Sequence, residues 1–561
     1  MHHALELDRD NGNSLWASAI RKEMSEIRVA FDIKDRNTNV EPGREYLECY
    51  MIFDVKMDFT RKARFVANGA KTRDIESSTY AGVVSKETVR IAFTYAALNN
   101  LDLFAADIKN AYLQALITER YWTRCGPEFG PGLEGSVAYI VRVLYGTKCA
   151  GRDFRNHLRE CMEMLGYTSC LADPDLWIRK AITDNGNDYY EYMLLYTDDC
   201  LSVSEHPRQA LMEVNKYFPL KPESVGPPKI YLGAKISKVQ LQNGVEAYAM
   251  SMSQYVQEAV RNVEGHLRKK GLGLLKKAST PMSLHYCPEI DASPELDQNG
   301  VGYYQSLIGI LRWIVEMGRM DICMEVSSLS SYIAMPREGH MQQVLHIFAY
   351  LKINHNARMV FDPSYPEIDD ETFEEKDWSS MYGMEKDEAP GNAPKPMGSE
   401  FIIRAYVDAS FAGCKLTRRS RSGFIVYLNN APIYFISKKQ GSCETSTFGS
   451  EFVAMKLCCE YLRGLRYKLR MMGIPVANPA FVYRDNQSVL WNTSVPDSTL
   501  KKRSSSVAYH FVREGVAKRE WITGYVNTSI NPSDIMTKMV TNREERKRKI
   551  RMMLYDIYPE N

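Results

Sequence analysis

Two adjacent carboxylates, Asp198 and Asp199, stand between two apolar runs in "YMLLYTDDCLSVS" (192–204). Side by side in a tight turn they repel, and a nearby cation would offset that cost. Asp107, closing the strand-like "LDLFAAD" (101–107), brings a third carboxylate to the same end of a sheet. All-oxygen donors suit magnesium. Two such ions about 4 Å apart activate a hydroxyl and stabilise a leaving oxygen in phosphoryl transfer. Asp is also common in turns, so an isolated Asp-Asp pair is ordinary. A second acidic set lies further on: Asp408 in "AYVDASFAG", Glu451 in "TSTFGSEFVAM", Asp485 in "VYRDNQSVL" and Asp534 in "NPSDIMTKM". Their contexts are a strand, the first turns of a helix, a strand end and a helix start, which could bring four acids to one sheet edge.

The elements that must position these acids are legible as patterns. "SKETVRIAFTYAALNN" (85–100) spaces Val89, Ala92, Phe93 and Ala96 as a helix with a start signal at Ser85 and Glu87. "FRNHLRECMEMLGY" (154–167) is a second amphipathic helix ending at Gly166. "DLWIRKAITDNGNDYYEYMLLYTDDCLSVS" reads as strands joined by "TDNGND" and "TDD" turns. Residues 250–360 are mainly helical by pattern. The stretch 366–398 is acidic, then Pro-bearing, and reads as a surface linker. Beyond it a unit of roughly 160 residues, an ordinary domain size, alternates strands and helices, with "SGFIVYLNNAPIYFIS" as a hairpin.

At 561 residues the chain is long enough for several cores. Hydrophobic content of 45% and charged content of 25% are those of a globular protein, and no run approaches the length of a membrane span. The start carries no secretory pattern, so the expected compartment is inside the cell. Twelve cysteines without a Cys-x-x-Cys pair argue against a disulfide framework or structural zinc. Net charge is only +2, but basic runs recur at 61–73, 266–277, 416–423, 500–506 and 543–553. One such run is usually a solvated face; five favour a polyanion partner.

The motifs "LDLFAADIKNAYLQALI", "VLYGTKCAGRDF", "LLYTDDCLSVS" and "YLGAKI", in this order, with "RKARFVANG" before them, resemble the reverse transcriptase of copia-type (pseudoviral) LTR retrotransposon polyproteins. The resemblance implies an α+β right hand of fingers, palm and thumb. It implies Asp107, Asp198 and Asp199 as ligands of two magnesium ions, with manganese as a substitute. It makes Tyr112 the aromatic steric gate beneath the sugar, Lys62 and Arg64 finger cations for the triphosphate or template, and "YLGAKI" (231–236) the primer grip. The plainer alternatives are a core aromatic and a solvated edge. Asp408, Glu451, Asp485 and Asp534 resemble the Asp-Glu-Asp-Asp set of the α/β RNase H-like domain that follows, again with two magnesium ions. "SGFIVYLNNAPIYFISKKQ", "DNQSVLW" and "YHFVREGV" extend that match.

The implied organisation is fingers and palm at 1–245, thumb and helical connection at 246–365, the linker at 366–398, RNase H at 399–545 and a tail at 546–561. The implied activity is RNA-directed DNA synthesis with removal of the RNA strand of RNA/DNA hybrids. Its partners would be an RNA template, a DNA primer strand, dNTPs, a tRNA primer and other polyprotein products, in cytoplasmic element particles with nuclear entry and no membrane. Departures from the family pattern are Cys149, Ala150 and Gly151, Met320, and Arg503 with Ser504, Ser505 and Ser506. They keep open a decayed or co-opted protein that only binds nucleic acid. A phosphohydrolase using one acid cluster is the weaker rival, because it leaves the polymerase-like half unexplained.

Overall fold

The apolar runs flanking Thr197 and Asp198 pair as strands Asp188–Tyr196 and Asp199–Ser204, with Tyr196 opposite Asp199. In the computed structural model, which describes residues 1–55, 60–74, 79–500 and 506–558, this hairpin belongs to a five-stranded antiparallel sheet. The spatial order is Asp102–Asp107, Asp199–Ser204, Asp188–Tyr196, Asp173–Ile182 and Thr168–Cys170. Side chains alternate between its faces. Tyr192 and Leu194 enter one core with helix Lys86–Leu98; Met193 and Leu195 enter another with helices Ala150–Met164 and Pro207–Asn215. Both faces are covered, which is why the run is continuously apolar rather than alternating. The expected helix start holds: Ser85 Oγ accepts from the Thr88 amide at 3.2 Å, a cap of the kind that contributes about 1 kcal/mol.

In front of this sheet, strands Cys49–Val55 and Arg61–Ala67 form a hairpin that sets Lys62 opposite Asp54 and Arg64 opposite Ile52. "YLGAKI" is a second tight hairpin, Tyr231 opposite Ala234, with Leu232 and Gly233 at φ 51° and 80°. Positive φ at both central residues matches the right-handed strand twist. The middle of the chain is helical as expected, including Ser253–Lys269, Gln298–Glu316 and Glu338–Ile353. Among the described residues, no helix is long and apolar enough to cross a membrane.

The C-terminal sheet runs Ala431–Lys439, Arg421–Leu428, Ile403–Ser410, Ala480–Arg484, Trp521–Tyr525. Its first three strands are antiparallel and its last two parallel to the central one, reached through helices Thr447–Met471 and Ser506–Ala517. The expected "NN" turn is present, with Asn429 at φ 53°.

The acidic stretch 366–398 does not run free over the surface. Phe373 packs edge-on against Phe481 and Tyr483, Arg513 lies 4.8 Å over the Trp378 ring, and Asp387 accepts from Arg466 at 2.8 Å and Arg470 at 2.7 Å. Three of its acids, Glu375, Glu385 and Asp387, pair with cations of the C-terminal unit. The basic run 543–553 also differs from a solvated polyanion face: in helix Arg543–Arg551, Arg546 and Lys549 are buried. The basic run at 500–506 and the substituted Arg503, Ser504 and Ser505 fall largely outside the described residues.

Candidate active sites

Two residues, Thr197 and Asp198, close the palm hairpin, and Thr197 sits at φ 56°. A β-branched side chain avoids that region, so the turn is held by its surroundings. One such hold is the Ile108 amide, which donates to the Asp198 carbonyl at 2.9 Å. Across the next ladder Asp199 lies directly opposite Asp107. Asp107 is fixed by its own backbone: its amide donates to Ser224 Oγ at 2.9 Å and its carbonyl accepts from the Lys221 amide at 2.9 Å. Lys221 Nζ then reaches Asp107 Oδ2 at 2.5 Å, while Asp107 Oδ1 is buried without a hydrogen bond. Burial, then the charges of Asp198 and Asp107, push the Asp199 carboxyl up to about 6, against the pull of Lys221.

The fold therefore brings Asp107, Asp198 and Asp199 to one sheet end. Among the described residues, however, the groups whose ligand atoms all lie within 4.8 Å are Asp408, Glu451 and Asp485, and a set of Asp184, Glu205 and His206 in which Glu205 is half-buried. Lys221 on Asp107 offsets charge where the three palm acids would otherwise need a shared cation.

Beside Asp198 opens a cleft of about 610 Å³ lined by Lys62, Arg64, Lys109, Tyr145 and Lys221, with Glu23, Glu26 and Glu223 also on its walls, so that cations outnumber acids. Arg64 lies 5.7 Å over the Tyr145 ring. Tyr112 packs edge-on against Tyr145 at 4.8 Å and against Phe154 at 5.6 Å; burial and the Asp198 charge raise its phenol. Lys109, Tyr145 and Lys221 line this cleft and were missed by sequence reading. Lys109 and Tyr145 stand within motifs already singled out, but nothing in "FPLKPES" marks Lys221, whose partner is 114 residues away. The unusual Cys149 and Ala150 are buried where helix Ala150–Met164 begins, and Met320 is buried too.

At the second site, Asp408 lies on strand Ile403–Ser410, Glu451 in the first turns of helix Thr447–Met471, and Asp485 directly after strand Ala480–Arg484. Parallel pairing of these two strands carries Asp408 and Asp485 to the same edge. Burial pushes Asp408 up to about 7, with Lys538 opposing and Asp534 adding to the rise; burial and then Asp408 push Glu451 up to about 8 against Arg484. Arg484 is fully buried 3.5 Å from Glu451 Oε2, an oxygen that accepts no hydrogen bond. Thr537 Oγ1 donates to Asp408. Asp534, in the short turn Pro532–Met536, is held by lysines: Lys538 Nζ at 2.7 Å from Oδ1, and Lys549 on Oδ2. Lys538 follows Asp534 by four residues, a helical spacing that could have flagged it; Lys549 carried no such signal.

Comparison with known proteins matches residues 46–266 to the family model described as reverse transcriptase (RNA-dependent DNA polymerase). The retrovirus-related Pol polyprotein from transposon RE1 of Arabidopsis thaliana is 24% identical over 483 residues, covering 85% of this chain and 29% of that protein. The corresponding polyprotein from transposon TNT 1-94 of Nicotiana tabacum is 23% identical over 516 residues, covering 89% and 35%. The chain thus spans about a third of the length of the curated relatives it matches. Among solved structures, a foamy viral protease-reverse transcriptase in complex with RNA/DNA hybrid aligns over 85% of this chain and 50% of its own, at 10% identity and a TM-score of 0.39. LC11-RNase H1 in complex with RNA/DNA hybrid aligns over 24% of this chain and 93% of its own, at 14% identity and a TM-score of 0.21. Residues 46–266 thus match the reverse transcriptase (RNA-dependent DNA polymerase) family model, and most of the chain is similar to Pol polyproteins of plant transposons.

Proposed function

We propose that this chain is an RNA-directed DNA polymerase with a fused ribonuclease H, both dependent on divalent metal. One observation carries it: a single chain holds two acidic sets at sheet edges, with buried carboxylate oxygens lacking a hydrogen bond in each, Asp107 Oδ1 in the first and Glu451 Oε2 and Asp534 Oδ1 in the second. Such oxygens are costly unless a cation meets them, and hard oxygen donors fit magnesium or manganese. Asp107, Asp198 and Asp199 would hold metal in the palm; Asp408, Glu451 and Asp485, with Asp534 beside them, would hold it in the C-terminal unit. Two ions is the finer expectation for the palm. When bound, the metal supplies charge that neutralises phosphate oxygens and lowers the pKa of the attacking hydroxyl or water.

The remaining work falls to the chain. Lys62, Arg64 and Lys109 give the cleft the positive charge a triphosphate needs. Tyr112, fixed edge-on against Tyr145, would crowd a 2′-hydroxyl on the incoming sugar. Base pairing selects each dNTP, so the protein grips the backbone and A-like shape of template and primer rather than their sequence. A tRNA primer, the domain limits at 245, 365, 398 and 545, and residence in cytoplasmic particles belong to the same proposal.

The test is primer extension on a heteropolymeric RNA template with magnesium and dNTPs, with the RNA end-labelled. Extension accompanied by RNA shortening is the expected result. A binding-only protein is the second reading, favoured by the lysines on Asp107 and Asp534. Tight primer-template binding with neither product, in magnesium or manganese, would establish it instead.

A further inference from the structure

Asp534 differs from the other C-terminal acids in having a lysine on each carboxylate oxygen. Lys549 is fully buried and has two further acceptors, Glu545 Oε1 at 2.8 Å and the Thr528 carbonyl at 2.9 Å, so its three donors are committed. Its helix is anchored from the other side by Arg546, buried against the Asp321 carbonyl at 2.9 Å. Lys549 is therefore a fixed counter-ion of Asp534. Lys538 is placed differently: its Nζ lies 2.7 Å from Asp534 Oδ1 and 3.6 Å from Asp408 Oδ2. One ammonium bridges the two carboxylates that a second ion in this pocket would have to share. Asp408, Glu451 and Asp485 meanwhile keep ligand atoms within 4.8 Å of one another. An ammonium and a divalent cation cannot share one gap of a few ångströms without strong repulsion.

We propose that the C-terminal set takes one divalent ion, on Asp408, Glu451 and Asp485, and that the Lys538 ammonium stands in for a second. The proposal rests on this pocket being a divalent-metal site and specifies its ligands. Lys538 is then a positioning residue: it neutralises Asp408 and Asp534 but offers donors rather than an open coordination position. An ammonium does not activate water as a metal ion does.

The test counts bound Mn²⁺ by electron paramagnetic resonance on the full chain carrying Asp198→Asn and Asp199→Asn, which removes two of the palm acids. One ion is expected to be lost on adding Asp485→Asn. The Lys538 side chain is 42% exposed, so Lys538→Met should fold, with Lys538→Gln as a second neutral replacement. Each should admit a second ion and tighten the first by roughly tenfold. Two ions of similar affinity with Lys538 intact, both lost on adding Asp485→Asn, would overturn the proposal and leave the metal site standing. A count that stays at one in both Lys538 variants would also overturn it. No bound ion at all would overturn the metal site itself.

Discussion

Asp198 and Asp199 are adjacent in sequence, yet the hairpin gives them different surroundings. Asp199 faces Asp107 across the ladder, whereas Asp198 occupies the turn and lines the basic cleft. Asp198→Asn keeps the shape and removes one anionic ligand. It should lower primer extension by roughly a hundredfold or more while leaving hybrid cleavage intact, because the second acidic set lies in another sheet. A paired extension and cleavage assay checks this, and equal loss of both activities would argue against two separate sites. Tyr112 makes a different prediction. Its ring is held edge-on by Tyr145 and Phe154, so Tyr112→Ala opens space without moving a charge. Discrimination against ribonucleotides should fall by about tenfold or more, read as the ratio of kcat/KM for dNTP and rNTP. An unchanged ratio would leave Tyr112 as an ordinary core aromatic.

The stretch 366–398 shows what composition conceals at the level of an element. Low hydropathy and a Pro-bearing end describe a linker, but Asp387 meets Arg466, whose side chain is 3% exposed, and Arg470. Removing one partner of a buried pair strands the other. Asp387→Ala should therefore cost about 3 kcal/mol, measured as a lower urea midpoint, whereas a true spacer would tolerate the change. The palm hairpin was readable because every cue was local: apolar runs, a two-residue turn and acids at its tip. The C-terminal hairpin at Asn429 was readable for the same reason. Helix Arg543–Arg551 was misread because charge alone does not say which side faces inward: Arg546 is buried against the Asp321 carbonyl and Glu325 from far along the chain, and Lys549 against Asp534. The same holds for Lys221 and Asp107. The acids were legible through their elements; of the lysines that balance them only Lys538 carried a spacing signal, while Lys221 and Lys549 are placed by tertiary packing and leave no period in the sequence.

The two acidic sets belong to one folded body. Tyr192, on the palm hairpin strand, donates to the Met472 carbonyl at 2.9 Å, Lys468 pairs with Glu87 at 2.9 Å, and one apolar core runs through both units. Stability of the whole chain should therefore report protonation at both sites. Burial raises Asp199 to about 6, Asp408 to about 7 and Glu451 to about 8. In the unfolded chain such groups lose their protons near pH 4. Between about pH 4 and 8 the metal-free folded state thus binds more protons than the unfolded one, and these three groups make stability fall as pH rises. A divalent ion binds the deprotonated carboxylates and removes that penalty, so its stabilising effect must grow over the same range. The shift in Tm produced by magnesium should be small at pH 5 and largest near pH 8, with protons released on binding, as followed by calorimetry at matched ionic strength. Glu451→Gln should flatten the upper part of that rise and Asp199→Asn the lower. A magnesium shift independent of pH would mean that the ion binds elsewhere and that the buried acids are balanced by Lys221, Arg484 and Lys538 alone.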